Sequence, residues 1–104
     1  MPNENKSVRV CSASDVKEGK FCASAKGINL AVFKVGGKFF ATANSCTHVG
    51  GPLCQGSLDG KTITCPWHGS RFDVETGKVV NGPAAKPVKT YPTELRGEDI
   101  FVEL

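Results

Sequence analysis

The sequence predicts an all-β protein: an antiparallel β-sandwich or barrel with an inserted, loop-rich lobe. About nine short runs rich in β-branched and aromatic residues are separated by closely spaced turn residues, and helical periodicity is almost absent. The 104 residues have the length of one domain. Because 39% of them are hydrophobic and 22% are charged, the composition is that of a globular chain rather than a disordered one.

The first part of the chain alternates predicted strands with tight turns. The strands are expected over 8–11, 21–24, 28–35 and 38–42. One helical turn is expected over 14–19, with Asp15 capping its start and Gly19 ending it. Gly36 and Gly37 join the two longest strands, and because glycine adopts positive φ freely, they predict a two-residue hairpin turn.

The second part begins with a stretch of small polar residues, glycine and proline that is predicted to be loop from 43 to about 60. Strands are then expected over 61–65, 71–73, 78–80, 88–95 and 100–104. A loop-rich stretch of this length in a small domain usually carries function. We therefore expect one domain over 1–104, built from a basal β-frame (1–42 and 84–104) and an inserted lobe (43–83).

Charge and hydropathy argue against two classes of partner. Thirteen Lys and Arg against ten Asp and Glu give a net charge of only +3, and the cations are scattered, which does not favour nucleic-acid binding. The longest apolar run, Leu30–Phe33, is far too short to cross a membrane. Residues 1–10 lack the apolar core of a signal peptide. We therefore expect a cytoplasmic protein, and no feature demands more than a monomer.

The five cysteines are an odd number, so they cannot all pair in a closed disulfide scaffold. In a reducing compartment such cysteines are more often buried thiols or metal ligands. Cys11 and Cys22 lie in predicted strands, where we expect small buried hydrophobic residues. Cys54 lies in the predicted lobe, where we expect a thiol without a role in the site.

Both histidines of the chain lie two or three residues after a cysteine. Cys46 and His48 form a C-x-H pattern, and Cys65 and His68 form C-x-x-H after sixteen intervening residues. Two thiolates and two imidazoles are a complete set of four metal ligands. A mononuclear zinc site is chemically sound, although zinc motifs more often pair like with like along the chain. The mixed order favours a binuclear centre in which the cysteines bind one iron and the histidines the other.

The two motifs, CTHVGGP at 46–52 and CPWHGSRFD at 65–73, resemble the cluster-binding loops of Rieske proteins. The resemblance implies one [2Fe–2S] cluster with two cysteine and two histidine ligands. It assigns Cys46 and Cys65 to an inner iron, and His48 and His68 to an outer iron near the surface.

The resemblance also suggests residues around the cluster. The segment 81–84 is similar to the proline loop that covers the cluster in the family, so Pro83 is expected to shield it. Trp67 is expected either to pack the second loop or to take part in docking. Ser70 is expected to donate a hydrogen bond to a sulfide, whereas Phe72 stands where high-potential members have a tyrosine. Because one hydrogen bond is then missing, we expect a potential in the lower half of the range of about −150 to +300 mV.

Departures from the family pattern indicate which kind of Rieske protein this is. In cytochrome bc complexes a disulfide joins the two loops, but Gly51 and Trp67 occupy the equivalent positions here. Without that disulfide and with its small size, the chain is similar to free-standing Rieske ferredoxins. That similarity implies an electron carrier, not an enzyme, that receives electrons from a flavin-dependent ferredoxin reductase and passes them to a terminal oxygenase, often one that hydroxylates aromatic rings.

An apolar tip around the histidines is the expected docking surface for these transient partners. The residues expected to form it are Val49, Gly50, Pro52, Leu53, Trp67 and Pro83. Two other functions remain open from the sequence: a small Rieske subunit of another oxidoreductase, such as nitrite reductase, and a zinc-stabilised interaction module without redox function.

Overall fold

A computed structural model describes residues 7–45, 51–67, 69–82 and 86–104. The described residues form eleven short strands, and every strand pair is antiparallel. The strands are β1 (Ser7–Ser12), β2 (Lys20–Ala25), β3 (Ile28–Val35), β4 (Lys38–Ala43), β5 (Ser57–Asp59), β6 (Thr62–Thr64), β7 (Arg71–Asp73), β8 (Val79–Asn81), β9 (Thr90–Tyr91), β10 (Thr93–Arg96) and β11 (Asp99–Glu103). The prediction of an all-β antiparallel fold is confirmed.

The strands form three sheets with the orders β1-β11-β10, β2-β3-β4-β9 and β5-β6-β7-β8. The third sheet is a meander inserted between β4 and β9, so it belongs to the loop-rich stretch recognised in the sequence. The hairpin between β3 and β4 turns at Gly36 and Gly37, whose φ values are 57° and 87°. Positive φ at both central residues is what the right-handed twist of the strands requires of a two-residue turn.

The strand β3 is buried on both faces, and each face belongs to a different hydrophobic core. Leu30 and Val32 pack with residues of β1, β2, β4 and β11 in a frame core. Ala31 and Phe33 point the other way and pack with residues of the third sheet and its loops in a lobe core. All four side chains are 0% exposed, so the apolar run that is too short for a membrane instead joins two cores.

Three elements differ from the sequence prediction. Residues 88–95 are not one strand, because Pro92 lacks an N–H and separates β9, which pairs with β4, from β10, which pairs with β11. The strand β5 was expected to be loop, since its three residues are too few to show alternation. The helical turn lies over Ala13–Asp15 and is capped by Ser12 rather than by Asp15. The Ser12 backbone N–H donates to the Asp15 carboxylate.

Two cysteine predictions are wrong, and one is confirmed. Cys22 is exposed rather than buried, and it forms a disulfide with Cys54, which is 4% exposed. Their Cα atoms are 5.1 Å apart, well within the range for disulfides. Cys11 is buried as expected, and burial raises the pKa of its thiol to about 11, so it stays protonated at neutral pH. Within the described ranges, the structure contains no helix long and apolar enough to span a membrane.

Replacement of Leu30 by alanine tests whether β3 holds the frame core together. Leu30→Ala should lower the free energy of unfolding by about 2–5 kcal/mol, because it leaves a cavity at a fully buried site. Leu95→Ala is the matched control, since Leu95 is 49% exposed and its replacement should change stability by less than about 0.5 kcal/mol. Urea unfolding followed by circular dichroism measures both, and equal losses would contradict the buried role of β3.

Candidate metal centre

The segment that carries Cys46 and His48 is closed at its base by backbone contacts. Residues 46–50 lie outside the described residues, but the chain on either side of them is described. The Asn44 carbonyl accepts the Leu53 N–H at 2.8 Å, and the Asn44 side-chain oxygen accepts the Cys54 N–H, also at 2.8 Å. Ser45 and Pro52 face each other in an isolated antiparallel bridge. The two ends of this first loop are therefore held together by one asparagine.

The second loop connects β6 to β7 and begins at Cys65. The Cys65 N–H donates to the Ser70 carbonyl at 2.7 Å, which closes the loop at its base. The Cys65 side chain is 2% exposed and belongs to the lobe core, and the Trp67 N–H donates to its sulfur at 3.4 Å. A backbone N–H directed at a sulfur stabilises the thiolate form, which is the form that binds metal.

The two loops meet at Gly51, which lies directly against the second loop. A Cβ atom on Gly51 would be 2.7 Å from the Cys65 Sγ and 3.1 Å from the Trp67 Cγ. The first distance is shorter than real Cβ contacts and the second is tight, so a side chain at this position would force the Cys65 sulfur and the Trp67 ring to shift. In the resemblance drawn above, Gly51 and Trp67 occupy the positions of the interloop disulfide, and the structure places them in contact.

Five residues of the predicted site are described. Cys65 and Ser70 are buried next to each other, Trp67 is 51% exposed, and Pro52 is partly buried. Leu53 does not belong to a docking tip, because it is 0% exposed and packs in the lobe core. The remaining predicted site residues lie outside the described residues: Cys46, His48, Val49, Gly50, His68 and Pro83.

Asn44 was not singled out by the sequence prediction, whereas Gly51 entered it as the position of a missing disulfide cysteine; both hold the loops. The position of Asn44 immediately before a turn-rich stretch is a weak signal, since asparagine side chains often bond nearby backbone groups. For Gly51 the signal is its contrast with the cysteine of the disulfide-containing relatives.

Comparison with known proteins identifies the family. Residues 6–92 match the Rieske [2Fe–2S] domain. The ferredoxin subunit of 3-phenylpropionate/cinnamic acid dioxygenase from Escherichia coli (strain K12) is 37% identical over 98 residues, which are 93% of this chain and 92% of that protein. The ferredoxin of Sphingomonas yanoikuyae B1 superposes with a TM-score of 0.87 at 36% identity, covering 93% of this chain and 97% of the other. A chain in the complex of reduced oxygenase and oxidised ferredoxin of carbazole 1,9a-dioxygenase also gives 0.87 at 36% identity, covering 94% and 93%.

The chain therefore belongs to the Rieske [2Fe–2S] domain family, and the relatives named above include ferredoxins of two dioxygenases. It carries one Rieske cluster with cysteine and histidine ligands and acts as an electron carrier rather than as a catalytic enzyme. The described residues fit that group, since a buried cysteine sulfur accepts a backbone N–H and lies against a glycine of the opposite loop. Because the family binds a [2Fe–2S] cluster, a mononuclear zinc site is set aside as the cofactor.

Replacement of Gly51 tests the contact between the loops. Gly51→Ala should displace the Cys65 sulfur or the Trp67 ring and reduce the iron retained per chain, because the added methyl group lacks space beside both. Iron content and the visible absorption spectrum measure the effect. Gly37→Ala is the control: it strains a turn with positive φ but has open space around it, so the cluster spectrum should be unchanged. A Gly51→Ala protein with full iron and an unaltered spectrum would contradict the close approach.

Proposed function

We propose that this ferredoxin carries single electrons from a flavin-dependent reductase to a terminal oxygenase that hydroxylates an aromatic ring. One observation carries the proposal: the second loop, which begins at the Cys65 of the Cys-x-x-His motif, meets the first loop at Gly51, and Cys65 is buried at this contact. Because the two loops are closed at their bases and meet at Gly51, we expect the two motifs that they carry to lie close together. The bound cluster would supply a one-electron couple there.

We propose the four motif residues as the ligands, with Cys46 and Cys65 on the inner iron and His48 and His68 on the outer iron. Cys65 supports the inner position, because it is buried in the lobe core and bonded by the Trp67 N–H. Ser70 is fully buried at the base of the same loop, which suits a donor to the cluster. The lobe over 43–83 is proposed to hold the cluster, and the frame over 1–42 and 84–104 to support it in a single domain.

The docking surface is proposed to surround the second loop. Trp67 is 51% exposed although it is a large aromatic residue, and Pro66 next to it is also exposed. Exposed tryptophan is unusual on a monomer surface and is frequent at the centre of interfaces. Because Leu53 is buried, we leave it out of the proposed tip, which then comprises the remaining predicted residues: Val49, Gly50, Pro52, Trp67 and Pro83. A tip of five residues is small, which suits a transient electron-transfer partner.

The names of the relatives support an aromatic-ring system as the destination of the electrons. One relative is the ferredoxin subunit of a dioxygenase for 3-phenylpropionate and cinnamic acid, and another is a ferredoxin seen in complex with the oxygenase of carbazole 1,9a-dioxygenase. We propose that this chain works as a monomer in the cytoplasm.

Replacement of Trp67 tests both the carrier role and the docking surface. The reduced protein should be reoxidised by the oxygenase of an aromatic-ring dioxygenase system, and Trp67→Ala should slow this step about tenfold or more, since a central interface residue contributes at least 1–2 kcal/mol. Stopped-flow absorbance measures the rate, and redox titration verifies that the potential has not moved. Leu95→Ala removes another half-exposed apolar side chain, in β10, and should leave the rate unchanged. If the aromatic-ring oxygenase does not reoxidise the reduced protein, the proposed function is refuted. If Trp67→Ala leaves the rate of reoxidation unchanged, the proposed docking surface is refuted.

Replacement of Phe72 tests the origin of the potential. Phe72 is 0% exposed and packs in the same core as Cys65, so a hydroxyl on its ring would lie among the groups around the cluster. Phe72→Tyr should raise the potential by tens of millivolts, because a hydrogen bond of about 1 kcal/mol formed in the reduced state corresponds to roughly 40 mV for one electron. Phe39→Tyr is the control, since Phe39 packs against the frame core instead. A redox titration that shows no rise for Phe72→Tyr would count against this explanation.

A further inference from the structure

The disulfide between Cys22 and Cys54 joins two parts of the molecule with different roles. Cys22 lies in β2, an edge strand of the sheet β2-β3-β4-β9. Cys54 lies in the 3₁₀ turn Leu53–Gln55, which follows the first loop. The two residues are 32 positions apart. The bond therefore attaches the end of a cluster-binding loop to the frame.

Cys54 is also part of the contact that closes the first loop. Its N–H donates to the Asn44 side chain, and the adjacent Leu53 N–H donates to the Asn44 carbonyl. A second link to the same strand exists, because the Lys20 ammonium donates to the Gly56 carbonyl. The covalent bond thus reinforces a set of non-covalent contacts between the same two parts of the chain.

The two cysteines differ in their exposure, because Cys22 is an exposed residue and Cys54 is 4% exposed. Exposed disulfides are the ones that exchange with thiols, whereas buried structural disulfides resist reduction. Disulfides of cytosolic proteins are, moreover, mostly transient and redox-sensing. The exposure of Cys22, the proposed cytoplasmic location and the position beside the cluster loop all favour a reversible bond.

From these observations we infer that the Cys22–Cys54 disulfide is a thiol-exchangeable clasp on the first cluster-binding loop, and that a dithiol reductant opens it and weakens metal retention. The inference rests on the proposed assignment of Cys46 and His48 as ligands in that loop. It makes retention of the cluster depend on the thiol redox state around the protein.

The exchange proceeds at Cys22, the exposed residue of the pair. A thiolate of the dithiol attacks the Cys22 sulfur, the disulfide bond breaks, and the Cys54 sulfur leaves as a thiolate that takes up a proton. The second thiol of the reductant then attacks the mixed disulfide, releases Cys22 as a thiol and forms the oxidised, cyclic reductant. Two electrons and two protons pass in total from the dithiol to the protein.

The test uses the cluster-containing protein under argon, with and without dithiothreitol. Iron and sulfide are assayed first, and free thiols are alkylated and mapped by mass spectrometry. Metal release to a colour-forming chelator is then timed. Without reductant, Cys22 and Cys54 should be linked, and with reductant both should be alkylated in the folded protein. Metal release should then accelerate about tenfold or more, because a disulfide that closes a loop of this length lowers the equilibrium constant for unfolding by more than an order of magnitude.

Two variants separate the clasp from a general effect of the reductant. Cys22→Ser should release metal at the fast rate and show no further acceleration with dithiothreitol. Cys11→Ser removes a cysteine outside the disulfide, so it should release metal slowly and remain sensitive to the reductant.

Three outcomes would overturn the clasp: alkylation of Cys22 and Cys54 without reductant, a disulfide that dithiothreitol leaves intact in the folded protein, or a release rate that does not change when the bond opens. Failure of the proposed function is a separate result, because a chain without iron and sulfide fails in the first assay. The alkylation map and the release of whatever metal is bound still test the clasp in that case.

Discussion

The burial of β3 on both faces is the constraint on which the rest of the structure depends. Successive side chains of this eight-residue strand point to opposite sides, so one strand contributes to two cores. The four residues Leu30–Phe33 do so with no exposed surface. The frame core contains the strands of the first sheet, and the lobe core contains Phe72, Cys65 and Leu53. The proposed inner ligand Cys65 therefore packs in the same core as Ala31 and Phe33 of β3.

The loops that carry the two motifs are closed at their bases by hydrogen bonds. Asn44 closes one loop, the bond from Cys65 to Ser70 closes the other, and Gly51 lets the two approach. A metal site assembled in this way requires few residues of its own, because the small third sheet and the lobe core hold the loops. The disulfide from Cys54 to β2 adds a covalent connection between this site and the frame.

Local patterns in the sequence were enough to predict the fold class, the β3–β4 hairpin and the two motifs, because each depends on residues that are close along the chain. Interactions between distant residues were not predictable in the same way. Cys22 and Cys54 are separated by 32 residues, and cysteine spacing alone does not determine pairing. Leu53 looked like part of an exposed apolar tip, but the 3₁₀ turn directs it into the lobe core. Pro92 divides what looked like one strand, since each half finds a different partner.

The most direct test of the central claim is an electron paramagnetic resonance spectrum of the dithionite-reduced protein, with iron and acid-labile sulfide assayed in the same sample. We predict equal amounts of iron and sulfide, at two atoms of each per chain, and a lower average g-value than a cluster with four cysteine ligands shows. The Cys65→Ser variant should lose that signal. A colourless protein that contains one zinc and gives no signal would contradict the assignment of this chain as an electron carrier.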